Sequence, residues 1–420
     1  MARLRIEGGR ALHGRVTVEG NKNAALPLLA ACLLTDQPCT LHNVPRIRDV
    51  EVMARLLEQL GAEVDGIGTS TVEVCCRRLA TTEPDPALVT RLRGSVLLLG
   101  PLLARGGRAV LALPGGDFPA RRSIATHLHA LAALGAVEES DAAGHRLSAP
   151  DGLRPGSWYL GEASVTGTET ALLAAATIPG RSEIRHAACE PHVVDLCRFL
   201  QKMGVGVEGM GTPTIRIDGR SRLDGAEHRL DGDYIEAGSW AVVAAITGGA
   251  IDVHGARAKD VEPIAHVLGQ MGVPCRLEDD RLQVDPARPV AARRITTGVW
   301  PAFPSDMVSL VTVLATQADG RTLVHDWMYE LRLFALEQLS GMRADLFLCD
   351  PHRIIVTGPT RLRGRSLDSR DLRSGMALIA AALAAEGESV LSSLEMVERG
   401  YGALVDRLHS IGASVEREDD

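Results

Sequence analysis

The stretch MARLLEQLGAEV at residues 53–64 returns five more times in looser form, as HALAALGAVEE (129–139), CRFLQKMGVGV (197–207), AHVLGQMGVPC (265–275), FALEQLSGMRADL (334–346) and LVDRLHSIGASV (404–415). In each copy the apolar residues fall three and four apart and then stop at a turn, the pattern of an amphipathic helix closed by a glycine that starts a strand. The turn glycines are Gly61, Gly135, Gly204, Gly272 and Gly412, and Arg343 stands where the fifth copy would carry one. The copies recur at about seventy residues, a period that marks repeated supersecondary units. The 420 residues accommodate six of them, so the whole chain reads as one repeat architecture.

A second set of six segments lies between these copies and is apolar nearly all round: NAALPLLAACLL (23–34), GSVLLLGPLLA (94–104), TETALLAAAT (168–177), AGSWAVVAAITG (237–248), DMVSLVTVLAT (306–316) and SGMALIAAALAA (374–385). A helix with no polar face is a buried one. Each unit therefore supplies one inner and one outer helix plus short strands such as TLHNV and GRAVLAL, an α/β composition. Polar residues gather where the inner helices begin: Lys22 and Asn23, Arg93, Thr168 with Glu169, Glu236, Asp306 and Arg373. A helix N-terminus presents unpaired N–H groups and partial positive charge, and so favours anions. Thr168, Glu169 and Asp306 suit ordinary caps and first-turn charges. Lys22, Arg93 and Arg373 oppose the dipole, and a bound polyanion would give them a reason to be there.

Composition narrows the function classes. The length and 45% hydrophobic content support more than one large core, so two domains of three units each are expected. A formal charge of −8 carries no nucleic-acid footprint, and 3% aromatic residues leave little for base stacking. No apolar run reaches the length of a membrane span and MARLRIEGGR lacks a signal-peptide core, so a cytoplasmic location is expected. The eight cysteines show no CxxC pair or His/Cys ligand spacing, and are expected to be reduced thiols. Familiar phosphate-loop, dinucleotide, zinc-protease and nucleophile-elbow motifs are missing.

Ten stretches carry a resemblance: VEGNKNAALPLLAA (18–31), NVPRIRDVEVMARLLEQLGA (43–62), LRGSVLLLGPLLAR (92–105), LPGGDFPARR (113–122), SVTGTETALLAAA (164–176), CEPHVVDL (189–196), WPAFPSDM (300–307), YELRLFALEQL (329–339), DLRSGMALI (371–379) and ERGYGALVDRLHSIGA (398–413). Together they resemble the UDP-N-acetylglucosamine enolpyruvyltransferase family from end to end. The related shikimate-pathway synthases share the sixfold fold with different inner-helix sequences, whereas KNAALP with PAFPSD is the pattern of the UDP-sugar enzymes.

The resemblance implies an inside-out α/β barrel: two globular domains, residues 1–21 plus 232–420 and residues 22–231, each with three inner helices sheathed by mixed sheets and outer helices and joined by two chain crossings. The inner helices of both are expected to aim their N-termini at a common cleft that closes around the ligands. The implied reaction moves the enolpyruvyl group of phosphoenolpyruvate to the 3′-hydroxyl of UDP-N-acetylglucosamine and releases phosphate, the committed step of peptidoglycan synthesis. It needs no metal and no cofactor. Addition followed by elimination asks for a positioned acid, a positioned base and dense positive charge.

Carried over by position, the resemblance places Lys22, Arg122 and Arg399 around the phosphoenolpyruvate phosphate and carboxylate, with Arg93, Arg332 and Arg373 completing a basic lining. Arginine's planar fork matches phosphate and carboxylate, while Lys22 is a compact point charge suited to the leaving phosphate. Arg46, Arg48 and Arg121 read as surface charges or structural ion pairs. Asp306 matches the carboxylate that takes the proton of the attacking hydroxyl, and it could also cap its helix. Asn23 would bind polar groups of the sugar or, alternatively, cap its own helix. Ser164, Val165 and Thr166 would form part of the wall around the uridine diphosphate.

Two departures stand out. The loop LPGGDFPARR carries Asp117 where most of the family has a cysteine, the acid that protonates phosphoenolpyruvate or assists product release and the group that fosfomycin alkylates. A carboxyl serves there only if part of it is protonated, which Arg121 and Arg122 oppose and burial would favour. Next, Ser123, Ala125 and Thr126 replace the usual Pro, Asp and Leu before His127, and Glu162 replaces a common lysine; these positions line the nucleotide pocket. They keep open an enolpyruvyl transfer to another uridine nucleotide. A non-catalytic UDP-sugar-binding paralogue is a further alternative, against which the joint presence of Lys22, Asp306 and Arg399 speaks.

Overall fold

The computed structural model describes residues 2–115, 123–139, 144–330 and 332–419. The chain divides into two compact units, Met1–Glu19 with Gly232–Asp420 (the first unit) and Gly20–Asp231 (the second). The first crossing lies two residues earlier than the expected 21/22 boundary, for a local reason. Asn21 caps the first helix of the second unit, and its backbone N–H donates to the Asp231 carbonyl at 2.8 Å, so Gly20 and Asn21 travel with that unit.

The two periodicities of the sequence separate into two helix classes. In the second unit the inner helices are Lys22–Ala31, the 3₁₀ segment Arg93–Leu98 running into Leu99–Gly106, and Val165–Ala175. In the first unit they are Tyr234–Thr247, the 3₁₀ turn Ser305–Met307 running into Val308–Ala315, and Leu372–Ala384. Their lack of a polar face is explained by burial on all sides: every residue from Tyr234 to Ile246 is buried, and so is every residue from Arg373 to Leu383. Alanine and glycine along these helices let them approach closely. Leucines such as Leu28, Leu172 and Leu310 fill what remains, each fully enclosed and worth about 1.5–3 kcal/mol of transfer free energy. Outer helices bury one stripe only; Arg48–Gln59 turns Val50, Met53, Leu56 and Leu57 inward and leaves Arg55 and Glu58 in water. Two separate apolar cores result, one per unit.

Among the described residues there are five four-stranded sheets and one three-stranded sheet. Each four-stranded sheet sets one parallel pair beside two antiparallel pairs, as where Ser366–Asp368, Glu388–Ser392, Arg3–Glu7 and Ser414–Glu418 lie in that order. That sheet seats Leu4 opposite Leu391 and Arg417, tying the two chain ends into one layer. In the second unit Glu227–Arg229 returns to lie parallel to Cys39–His42, tying the end of that unit to its beginning.

The helix-to-strand turns show why the fifth repeat still works. Gly61, Gly135, Gly204, Gly272 and Gly412 all have positive φ, between 72° and 106°, and Arg343 adopts the same left-handed conformation at φ 72°. A side chain there costs about 1–2 kcal/mol, which the packing of the fifth unit, with Leu339 and Met342 fully enclosed, sustains. All eight cysteines are free thiols.

Candidate functional site

The caps of the inner helices decide what the polar residues at their starts are for. Asn21, Ser164, Asp233 and Asp371 are the capping residues, each accepting from backbone N–H groups of the turn that follows. Asn23 is therefore not a cap: it is the second residue of its helix, and its own N–H donates to the Asn21 side chain at 2.8 Å. Asp306 is not a cap either. Pro304 holds the cap position, and the Asp306 carboxylate faces two arginines instead. Nor do Thr168 and Glu169 cap; both are enclosed inside a helix that Ser164 caps.

In the first unit the predicted residues Asp306, Arg332 and Arg373 come together. Arg332 Nη1 donates to Asp306 Oδ1 at 3.1 Å, and Arg373 reaches Oδ2 through Nε at 3.1 Å and Nη2 at 3.0 Å. The guanidiniums are nearly enclosed, their side chains 11% and 7% exposed, while Asp306 keeps 27%. Burial works most strongly against both cations, but the surrounding charges, Asp306 first among them, together outweigh it, so each is held above the usual arginine value. Arg373 Nη1 also donates to the Tyr401 hydroxyl at 3.2 Å, which is 2.7 Å from Ser239 Oγ. Ser239 gives its own proton to the Ile235 carbonyl, so Tyr401 donates to Ser239 and accepts from Arg373. Fully buried Tyr401 thereby pins the ERGY turn, in which half-buried Arg399 follows the short helix Leu394–Val397. Glu236 serves this framework as well: its carboxylate pairs with Arg407 and accepts from Trp240 Nε1 at 3.1 Å.

In the second unit Lys22 is the first residue of its helix, and its ammonium lies 2.9 Å from Asp49 Oδ2. The pair is largely enclosed, at 12% and 5% side-chain exposure, so the cation that opposes the helix dipole is balanced by a carboxylate in the first turn of the neighbouring outer helix. Arg93 opens its inner segment and donates through Nη2 to the Ser123 carbonyl at 3.1 Å. The unusual residues then prove to be mutual partners. Thr126 Oγ1 donates to Glu162 Oε1 at 2.8 Å, and His127 Nε2 meets Thr166 Oγ1 at 2.9 Å. Two positions that depart from the resemblance thus satisfy one another, and the 123–127 segment is bound to the start of the Val165–Ala175 helix. Burial, reinforced by the Arg93 charge, lowers the His127 pKa to about 4, so this ring is neutral at physiological pH. Asp117, Arg121 and Arg122 lie outside the described residues.

Sequence reasoning missed Asp49, Asp326 and Tyr401 as partners of the charged residues. Tyr401 stood within a quoted motif, and Asp49 carried a visible but ambiguous signal, an acid in a helix's first turn. Asp326 had none. A cavity of about 520 Å³ bordered by Lys259, His266, Arg294, Trp300 and Phe303 lies in the first unit, but none of the candidate residues lines it. Among the described residues no His/Cys/Asp/Glu group could hold a metal ion, and no helix is long and apolar enough to cross a membrane.

Glu169 supplies a pH test of the second unit's interior. Burial, and next the neighbouring Glu190 charge, push its carboxyl well above the usual range. The folded state then holds this proton at pH values where the unfolded chain has released it, so stability falls as pH rises above the ordinary carboxyl pKa. Glu169→Gln removes that term. The variant should melt close to the parent at pH 5 and a few degrees above it at pH 8. A difference in Tm that stays the same across this range would contradict the assignment.

Comparison with known proteins agrees with this fold. The family profile described as EPSP synthase (3-phosphoshikimate 1-carboxyvinyltransferase) matches residues 6–408. Proteins named UDP-N-acetylglucosamine 1-carboxyvinyltransferase are 40% identical in Treponema denticola, over 98% of both chains, and 41% identical in Bradyrhizobium diazoefficiens, over 98% of this chain and 97% of that one. Among solved structures, the enolpyruvyl transferase NikO from Streptomyces tendae superposes with a TM-score of 0.88 at 25% identity, covering 99% of each chain. An EPSP synthase from Acinetobacter baumannii shares the fold, with a TM-score of 0.77 at 16% identity over all of both chains. With a family match over residues 6–408 and about 40% identity to these relatives along nearly the whole chain, the chain belongs to the EPSP synthase family of enolpyruvyl transferases, among the UDP-N-acetylglucosamine 1-carboxyvinyltransferases.

Proposed function

We infer that the protein transfers the enolpyruvyl group of phosphoenolpyruvate to the 3′-hydroxyl of UDP-N-acetylglucosamine and releases phosphate, the step that commits the sugar nucleotide to peptidoglycan. What carries the reading is identity of about 40% along the whole chain to relatives named for this reaction. The relatives' names lend no support to a different acceptor nucleotide.

The chemistry divides among the residues as follows. A proton is delivered to C3 of phosphoenolpyruvate, making C2 electrophilic; the sugar hydroxyl attacks C2 and gives its proton to the Asp306 carboxylate. The tetrahedral adduct then loses phosphate as the C2–O bond breaks, and a proton leaves C3 to form the enol ether. Arg332 and Arg373 fix the plane of the Asp306 carboxylate from two sides, which suits a base that must meet one hydroxyl in one orientation. Lys22, Arg122 and Arg399 are assigned to the phosphate and carboxylate of phosphoenolpyruvate. In the structure Asp49 pairs with the Lys22 ammonium at 2.9 Å, so this largely enclosed side chain has an opposite charge beside it. Asn23, with its cap duty taken by Asn21, is assigned to the sugar, and Arg93, Ser164, Val165 and Thr166 to the uridine diphosphate. Asp117 is assigned to the proton at C3. A cytoplasmic location follows from the place of this reaction at the start of cell-wall synthesis.

Phosphate release from phosphoenolpyruvate, followed with a panel of uridine nucleotides as acceptors, tests the reading. Release that depends on UDP-N-acetylglucosamine, with uridine monophosphate inert, is the expected result. Faster release with another uridine nucleotide would transfer the assignment to that acceptor.

A further inference from the structure

Behind the carboxylate assigned as base stands a second one that the reaction does not touch. Asp326 is fully buried. Its Oδ1 accepts from Thr297 Oγ1 at 2.7 Å and from the Met328 N–H at 3.3 Å; its Oδ2 accepts from Ser305 Oγ at 2.7 Å. Ser305, itself buried and next in sequence to Asp306, therefore spends its only proton on Asp326. Its oxygen is left to accept, and Arg332 Nη1 donates to it at 2.9 Å. The same nitrogen donates to Asp306 Oδ1 at 3.1 Å. Arg332 Nη1 is thus shared between a hydroxyl aligned by one carboxylate and the carboxylate assigned to catalysis.

The surroundings hold Asp326 still. Its carbonyl accepts from His352 Nδ1 at 2.7 Å, and the Thr297 carbonyl accepts from Trp327 Nε1 at 2.7 Å. An enclosed carboxylate is costly unless its oxygens are bonded, and a neutral residue of similar shape would satisfy a purely structural role at less cost. What a carboxylate adds is a hydroxyl forced into one orientation and a negative charge felt by Arg332. The Asp326 charge is indeed one of those that favour the charged form of that guanidinium.

We propose that Asp326 and Ser305 are positioning residues for the transferase reaction: Asp326 orients the Ser305 hydroxyl, the hydroxyl holds Arg332, and Arg332 fixes the Asp306 carboxylate in the plane from which it accepts the sugar's proton. The proposal rests on the reading of Asp306 as the base. Asp326 and Ser305 act through Arg332 and touch no substrate, so their loss should appear in turnover and not in substrate binding.

Steady-state kinetics on Ser305→Ala, Ser305→Thr, Asp326→Asn and Asp306→Asn, each checked for folding by its melting curve, test this. Ser305→Ala should lower kcat about tenfold while KM for both substrates moves by less than about threefold, the signature of an interaction used in the transition state. Ser305→Thr keeps the hydroxyl and should recover most of that loss. Asp326→Asn should lower kcat by about 10–100-fold with the same KM pattern; if it fails to fold, the two Ser305 variants still decide. Ser305→Ala as active as Ser305→Thr, beside an inactive Asp306→Asn, would overturn the positioning role alone. A loss carried entirely by KM would overturn it too. An active Asp306→Asn would remove the base assignment, and this proposal with it.

Discussion

Asp306→Asn yields a folded protein whose kcat is lower by a factor on the order of 10²–10⁴, the range expected when a general base is removed. The asparagine keeps the size of the side chain and one carbonyl oxygen to accept from Arg332 or Arg373, but it cannot take a proton from a sugar hydroxyl. The structure also changes what is expected of stability. Were Asp306 a helix cap, the substitution would be almost silent, because asparagine caps as well as aspartate. Pro304 holds the cap position, however, and Asp306 is paired with two arginines whose side chains are only 11% and 7% exposed. Removing the charge leaves two enclosed guanidiniums without it, so Tm should fall by several degrees. Kinetics taken well below the melting transition keep the two effects apart. Turnover near the parent rate would sink the base assignment and leave the carboxylate as an ion-pair partner only.

The second large effect concerns fosfomycin. The family resemblance makes the loop cysteine the nucleophile that opens the drug's epoxide, and a thiolate is a soft nucleophile available near neutral pH. This chain has Asp117 at that position, and a carboxylate attacks an epoxide far more slowly. The parent enzyme should therefore turn over substrate while resisting time-dependent inactivation, and Asp117→Cys should gain inactivation together with a single covalent adduct in the intact mass. Six of the eight thiols outside the loop are poor substitutes. Cys32, Cys39, Cys76 and Cys197 are enclosed, and burial pushes the Cys197 thiol up to about 12. Burial likewise raises Cys189, and it raises Cys275 to about 12. An adduct on the parent chain at Asp117, formed as quickly as on the cysteine variant, would overturn the argument and shift the chemistry to the loop's arginines.

Much of the architecture is legible in the sequence alone. Six amphipathic segments closing on a turn residue, alternating with six apolar ones, are local statements about helix period and backbone conformation. The exception was visible as a departure at Arg343, and the structure shows that this residue adopts the left-handed geometry that glycine takes in the other five repeats. The candidate residues were legible too, because polar groups at the start of an otherwise apolar helix need a reason to be there.

What those residues do to one another was decided only by the fold. The cap of the first inner helix is Asn21 and not Asn23, a two-residue difference that depends on where the chain enters the unit. Lys22 finds Asp49 on an outer helix; Thr126 finds Glu162; Arg373 reaches Asp306 from 67 residues away. Asp326 announces nothing in the sequence, since a lone aspartate after a strand is commonplace, and only the folded chain encloses it against Ser305. Helix period and turn glycines are encoded within a few residues of themselves, so a sequence displays them directly. Ion pairs and hydroxyl relays depend on which faces the packing of helices and sheets brings into register, and that is a property of the whole unit, written in no single stretch of it.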